Sequence, residues 1–173
     1  MLKATLALTC FLCVGLVSPI RAGDDSLVRF DGGIGVIPVS NVAVNADGTV
    51  TVSRNTVRGV NPPGQIWVIA GLNADVETDG RIEVRGRGLL LGGGNNIGFN
   101  ANQRVFATLI CSATAPFTQF STPSTGVALE PNGDFRIDDT LSPTPPAVCA
   151  SPVLLIRNAA GAWFAAGILK LED

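Results

Sequence analysis

One local pattern recurs along this chain and restricts its fold more than any other. Apolar and polar residues alternate for a few positions, a short turn ending in glycine intervenes, and the alternation resumes. NVAVNADGTVTV (residues 41–52), DVETDGRIEVRGRG (75–88), VALEPNGDFRI (127–137) and VLLIRNAAGAWFAAGIL (153–169) all follow it. Period-two alternation sends neighbouring side chains to opposite faces of a strand, and a turn glycine adopts positive φ at little cost, so each unit reads as a β-hairpin. Further strands are expected near residues 27–30, 34–39, 66–72 and 104–111, and no segment shows the period of an amphipathic helix. The fold expected is all-β: a single-domain antiparallel β-sandwich of Ig-like type with about 10–12 short strands, or alternatively a β-barrel.

The N-terminus carries Lys3, an apolar run over residues 4–17 and a small residue, Ala22, at a plausible cut. That is the layout of a secretory signal peptide spanning residues 1–22, with residues 23–173 as the mature domain. The apolar run is shorter than the roughly 20 residues a membrane helix needs, so the mature chain is expected to have no membrane span and to be secreted or periplasmic. Cys10 and Cys13 leave with the leader, and Cys111 and Cys149 remain. Two cysteines in an exported domain read as one disulfide, whose loop closure contributes about 4 kcal/mol in the chain-entropy view. Cys149 lies in the proline-rich stretch SPTPPAVCASP (142–152), which cannot sit in a central ladder and reads as an extended surface segment pinned by that bridge.

Composition removes several chemistries. The chain has no histidine and no tyrosine, which excludes Ser-His-Asp and Cys-His mechanisms, and two cysteines do not make an ordinary zinc site. The mature part keeps 10 of the 12 Lys+Arg and all 14 Asp+Glu residues, a net charge of −4, with Lys170 its sole lysine. Such a surface offers no footprint for nucleic acid and no basic patch for an anionic membrane. No cofactor is implied and no catalytic motif is recognisable. A carboxylate pair drawn from Glu130, Asp134, Asp138 and Asp139 keeps a hydrolase as a third alternative.

Candidate binding residues are few. Arg81, Glu83, Arg85 and Arg87 alternate along one strand and share a face, either a solvated surface or an anion-binding stripe. Trp67 and Trp163 are candidate stacking platforms for a carbohydrate, with core packing the competing reading and Arg157 a stacking partner for Trp163. Asp75, Glu77 and Asp79 imitate the first half of a calcium loop, but the twelfth position of such a loop is Gly86 instead of a bidentate carboxylate. RGRGLLLGGGNNIG (85–98) lacks the final glycine of a dinucleotide fingerprint and the Gly-Lys-Ser/Thr of a P-loop, so it reads as a corner. Ile66-Trp67-Val68-Ile69 and Val153-Leu154-Leu155-Ile156 are apolar on both parities, as expected of strands covered on both faces or lying on a homo-oligomer surface.

The C-terminal segments GDFRIDDTL, PPAVCASPVLLIRN and GAWFAAGIL, with Cys111 before them, resemble small secreted bacterial β-sandwich proteins of unknown function. The resemblance covers about the last 70 residues and implies a fold without implying an activity. The function expected is that of an exported, disulfide-bonded, non-catalytic structural or interaction module with a protein or glycan partner. The alternative is a carbohydrate- or ligand-binding module using the aromatics or the arginine stripe.

Overall fold

The computed structural model describes residues 25–171, so the leader read into residues 1–22 lies outside the described residues. There is no helix among them, and none that is long and apolar enough to cross a membrane. Thirteen strands follow one another: β1 Ser26–Gly35, β2 Val39–Val44, β3 Val50–Arg54, β4 Trp67–Val68, β5 Gly71–Glu77, β6 Arg81–Arg87, β7 Leu90–Leu91, β8 Arg104–Ile110, β9 Phe120–Ser121, β10 Val127–Ala128, β11 Phe135–Thr140, β12 Val153–Asn158 and β13 Trp163–Leu169. Four of them are only two residues long, which is why the number exceeds that expected from the alternation.

Nine strands form one antiparallel sheet. Its path runs β10-β8-β12-β13-β1-β5-β6-β11, with β9 added beside β8. The two ends, β10 and β11, come back towards each other, and the sheet is a nearly closed barrel. This is the barrel form of the antiparallel fold expected from the sequence. Closure limits the unpaired edge that an open sheet exposes.

The four glycine turns are built alike. In each, the glycine N–H donates to the carbonyl three residues back: Gly48 to Asn45 (2.9 Å), Gly80 to Glu77 (3.0 Å), Gly133 to Glu130 (2.8 Å) and Gly161 to Asn158 (2.7 Å). All four glycines have φ between 81° and 92°, the left-handed position of a three-residue hairpin loop. Asp47, Asp79 and Asn132, each just before its glycine, accept from the backbone N–H two residues on at 2.9, 2.9 and 3.1 Å. In the fourth turn Asn158 Oδ1 takes the Ala162 N–H at 3.0 Å instead.

Three of these turns join paired strands, and the third in chain order does not. Around Gly133 the incoming arm β10 pairs with β8 and the outgoing arm β11 pairs with β6. The local chemistry forms the turn expected at Pro131-Asn132-Gly133, but the arms take separate partners and the turn becomes the corner where the sheet closes. The RGRGLLLGGGNNIG stretch packs on this corner. Leu89 N–H donates to Gly133 O at 2.9 Å, Gly88 N–H donates to Asp134 Oδ1 at 2.9 Å, and a Cβ on Gly133 would lie 2.6 Å from the Leu89 nitrogen. Gly86 sits opposite Phe135, whose ring lies over it so closely that a Cβ there would meet the ring at 2.0 Å.

The core follows the alternation where one face is wet. Leu72, Ala74 and Val76 of β5 and Ile82 and Val84 of β6 are buried, while their neighbours face solvent or the rim. In β8 and β12 both parities are buried, as the runs of apolar residues imply, because an outer layer of irregular chain covers them. Phe120 of β9 pairs opposite Leu109, and Thr122 Oγ1 accepts the Ala107 N–H at 3.1 Å. The outer layer is tied by the Cys111–Cys149 disulfide, with Cα atoms 4.7 Å apart. Beside it the Arg58 guanidinium donates to Ile110 O at 3.0 Å, to Ser151 O and to Ser151 Oγ at 2.7 Å.

Two stability changes follow. Cys111→Ser with Cys149→Ser frees a loop of separation 38 and should cost about 4 kcal/mol in urea denaturation of the oxidised protein. Gly86→Val drives a side chain into the Phe135 ring and should cost about 1–3 kcal/mol or more, whereas Gly48→Ala, with open space at its Cβ, should cost no more than the strain of its positive φ.

Candidate functional site

The outer faces of β1, β5, β6 and β11 carry the charged band that the sequence placed on β6. Registration stacks Arg29, Asp75, Glu83 and Asp138 in one row, and Asp31, Asn73, Arg85 and Arg136 in the next. Arg81, Arg85 and Arg87 all point outward and are exposed, with Ile82, Val84 and Gly86 on the buried face. Opposite charges meet both across the strands and along them. Arg29 Nε lies 3.1 Å from Asp75, Arg85 lies 2.7 Å from Glu83, and Arg136 lies 3.2 Å from Glu83 and 3.3 Å from Asp138. Arg81 engages Glu77 and, at 3.0 Å, Asp79. Arg87 extends over Gly71, where a Cβ would meet its guanidinium at 3.0 Å.

Part of this band is concave. A shallow cleft of about 270 Å³ is bordered by Arg29, Asp31, Asn73, Glu83, Arg85 and Lys170. Three cations therefore surround one depression, and two of them, Arg29 and Arg85, pair with carboxylates on the same surface. The hydrogen bond from Arg85 holds the Glu83 carboxyl below the ordinary glutamate range, outweighing the desolvation that opposes it, and the charges of Arg136 and Arg85 add to the effect.

The remaining candidates separate from this surface. Trp67 and Trp163 are each 4% exposed; neither offers a ring face to a carbohydrate, and the aromatic platform is corrected to core packing. Trp67 stacks on Phe164 with centroids 4.0 Å apart, and Trp163 Nε1 donates to Asn55 O at 2.9 Å. Arg157 stands between Trp163 on β13 and Phe106 on β8, and its guanidinium lies on the β8 side, 5.2 Å from the Phe106 centroid, instead of over Trp163. Burial lowers the pKa of Arg157, whose N–H groups reach Gln119 Oε1 at 2.7 Å and Gly161 O at 3.0 Å. Asp75, Glu77 and Asp79 each face an arginine, and no group of three or more potential metal ligands occurs among the described residues. Of the carboxylates weighed for hydrolysis, Asp134 braces the corner, Asp138 meets Arg136 and Asp139 accepts from the Thr140 N–H at 2.7 Å.

Sequence reasoning missed a second surface. The β2–β3 hairpin stands off the barrel with every residue of both strands exposed. Val42 pairs opposite Val52 and Val44 opposite Val50, so four valines share one face, while Ala43 and Thr51 share the other. Their exposures run from 53% to 74%. Beyond the hairpin root, Ile37, Ile66, Val68, Ile97 and Phe99 are exposed as well. The backbone links these segments: Trp67 N–H to Val36 O (3.0 Å), Gly92 N–H to Ile66 O (2.9 Å) and Leu91 N–H to Phe99 O (2.9 Å). Alternation alone reads such valines as core-facing, and only their exposure among the described residues distinguishes them.

Comparison of the chain with protein-family models, curated proteins and solved structures finds no match.

Glu83 supplies a test of the charged band. A carboxyl whose folded pKa is depressed adds stability above its unfolded pKa and loses it as pH falls through the folded value. Glu83→Gln should therefore lower the melting temperature at neutral pH, and the difference between the two proteins should shrink as pH falls below the ordinary glutamate range.

Proposed function

We propose that the protein is an exported, non-catalytic interaction module whose contact element is the β2–β3 hairpin with the apolar flank at its root. One observation carries this reading: two paired strands expose a face of four valines, with no element among the described residues laid over it. A two-stranded ribbon is marginal by itself in water, and a contiguous exposed apolar surface beyond a few hundred Å² marks an interaction site. The secretory leader ending at Ala22 and the disulfide belong to the same reading, since bridged domains persist in oxidising compartments. The missing residue types speak for binding over catalysis, with the acids of the charged band committed to arginines.

Cells producing the protein with a photo-reactive residue at Val44 should yield a discrete cross-linked species that Val52→Asp abolishes, and the same probe at Arg136 should yield none. Equal yields at both positions, or none at either, would overturn the reading. So would a hydrolytic activity lost on Asp138→Asn.

The cleft bordered by Arg29, Arg85 and Lys170 supports a second reading, a site for a small anionic sugar or other carboxylate. Calorimetric titration with glucuronate would then show binding that Arg85→Ala weakens by roughly tenfold. Heats no larger than dilution would remove this reading.

A further inference from the structure

The hairpin carries only two ionisable side chains between residues 39 and 54, and they have opposite signs at opposite ends. Asp47 is at the tip and Arg54 at the root, separated by the valine face. Asp47 is held in place through Oδ1, which accepts from the Thr49 N–H at 2.9 Å and from Thr49 Oγ1 at 2.7 Å. Arg54 uses one N–H on Pro62 O at 2.8 Å, out of the five a guanidinium offers.

We infer that the occupant of the valine face is the same face of a second copy of this chain, the two hairpins stacked antiparallel about a two-fold axis. This rests on the reading of the hairpin as the contact element and specifies its partner. Two sheet faces stack about 10 Å apart, so Val42, Val44, Val50 and Val52 of each copy leave water together. In the antiparallel arrangement the tip of one hairpin lies at the root of the other, and Asp47 of each copy meets Arg54 of its mate in two equivalent pairs. The parallel arrangement would set Asp47 against Asp47 and Arg54 against Arg54, and like charges select against it. The root also offers a place for the incoming tip. A groove of about 240 Å³ lies there, lined by Pro38, Gly64, Gln65, Ile66, Gly93 and Gly94, with no heavy atom within 4 Å of where a Cβ would stand on Gly64 or Gly94.

Sedimentation velocity on the full chain, produced with its own leader and with the disulfide formed, tests the assignment. A dimer is expected, and Val52→Asp should sediment as a monomer with an unchanged near-ultraviolet spectrum from the buried tryptophans. The milder Val44→Thr, which keeps the strand, should weaken association in the same direction. Asp47→Arg should raise the dissociation constant roughly tenfold, and adding Arg54→Asp should restore it. A wild-type monomer, a dimer indifferent to Val52→Asp, or a double exchange that fails to restore association would overturn the proposal. A monomer that floats with phosphatidylcholine vesicles, and stops doing so on Val52→Asp, would overturn the second copy while leaving the hairpin as the contact element. Wild type and Val52→Asp alike in both assays would remove both.

Discussion

The barrel depends on one approach of backbone to backbone. Where Gly133 meets Gly88 and Leu89, a side chain on Gly133 would collide with the Leu89 main chain, and the hydrogen bonds from Leu89 to Gly133 and from Gly88 to Asp134 use that closeness. The two arms leaving this turn are the end strands of the main sheet. Holding the turn against the segment after β6 brings the ends of an eight-strand path round towards each other. Unsatisfied edge groups, the standing hazard of an antiparallel sheet, are thereby confined to a short seam. The arginine–glycine stretch that most resembles a ligand loop in the sequence is half of that joint.

Such a joint also explains the two kinds of exterior. On the β5–β6 side the outward residues are exposed charges paired across strands and along them. On the β8–β12 side the irregular chain from Cys111 to Gln119, with the segment around Arg58, forms a second layer, so the strands beneath it are apolar on both faces. The disulfide fastens this layer where the chain is rich in proline and poor in pairing.

Turn chemistry was legible in the sequence because it is local. All four glycine turns form where Asn/Asp-Gly or Asn-Ala-Ala-Gly stands, and the antiparallel all-β class follows from them. The alternation of Arg81, Arg85 and Arg87 outward was legible for the same reason. Partner choice was not, since it is settled by contacts remote in the chain. β10 and β11 flank a well-formed turn yet pair with β8 and β6. Arg157 has Trp163 as its partner on β13, yet its side chain lies over Phe106 of β8, a neighbour far away in the chain. The valine hairpin escaped for a further reason: period two says that a face is apolar, not that anything lies against it. The cleft near Lys170 likewise needed registration across β1, β5 and β6, which no single segment encodes.

The Arg58 clamp has a consequence for where such a protein can persist. Its guanidinium is held by two backbone carbonyls and a serine hydroxyl, and although burial lowers its pKa, an arginine stays charged through the whole range in which carboxylates titrate. No acidic side chain among its described contacts has to remain ionised for the clamp to hold. On the charged band Glu83 loses its ion pairs with Arg85 and Arg136 once it takes up a proton, but this corner has nothing to protonate. The outer layer over the disulfide is therefore an acid-indifferent seal, and acid should loosen the molecule from its ion-paired face first.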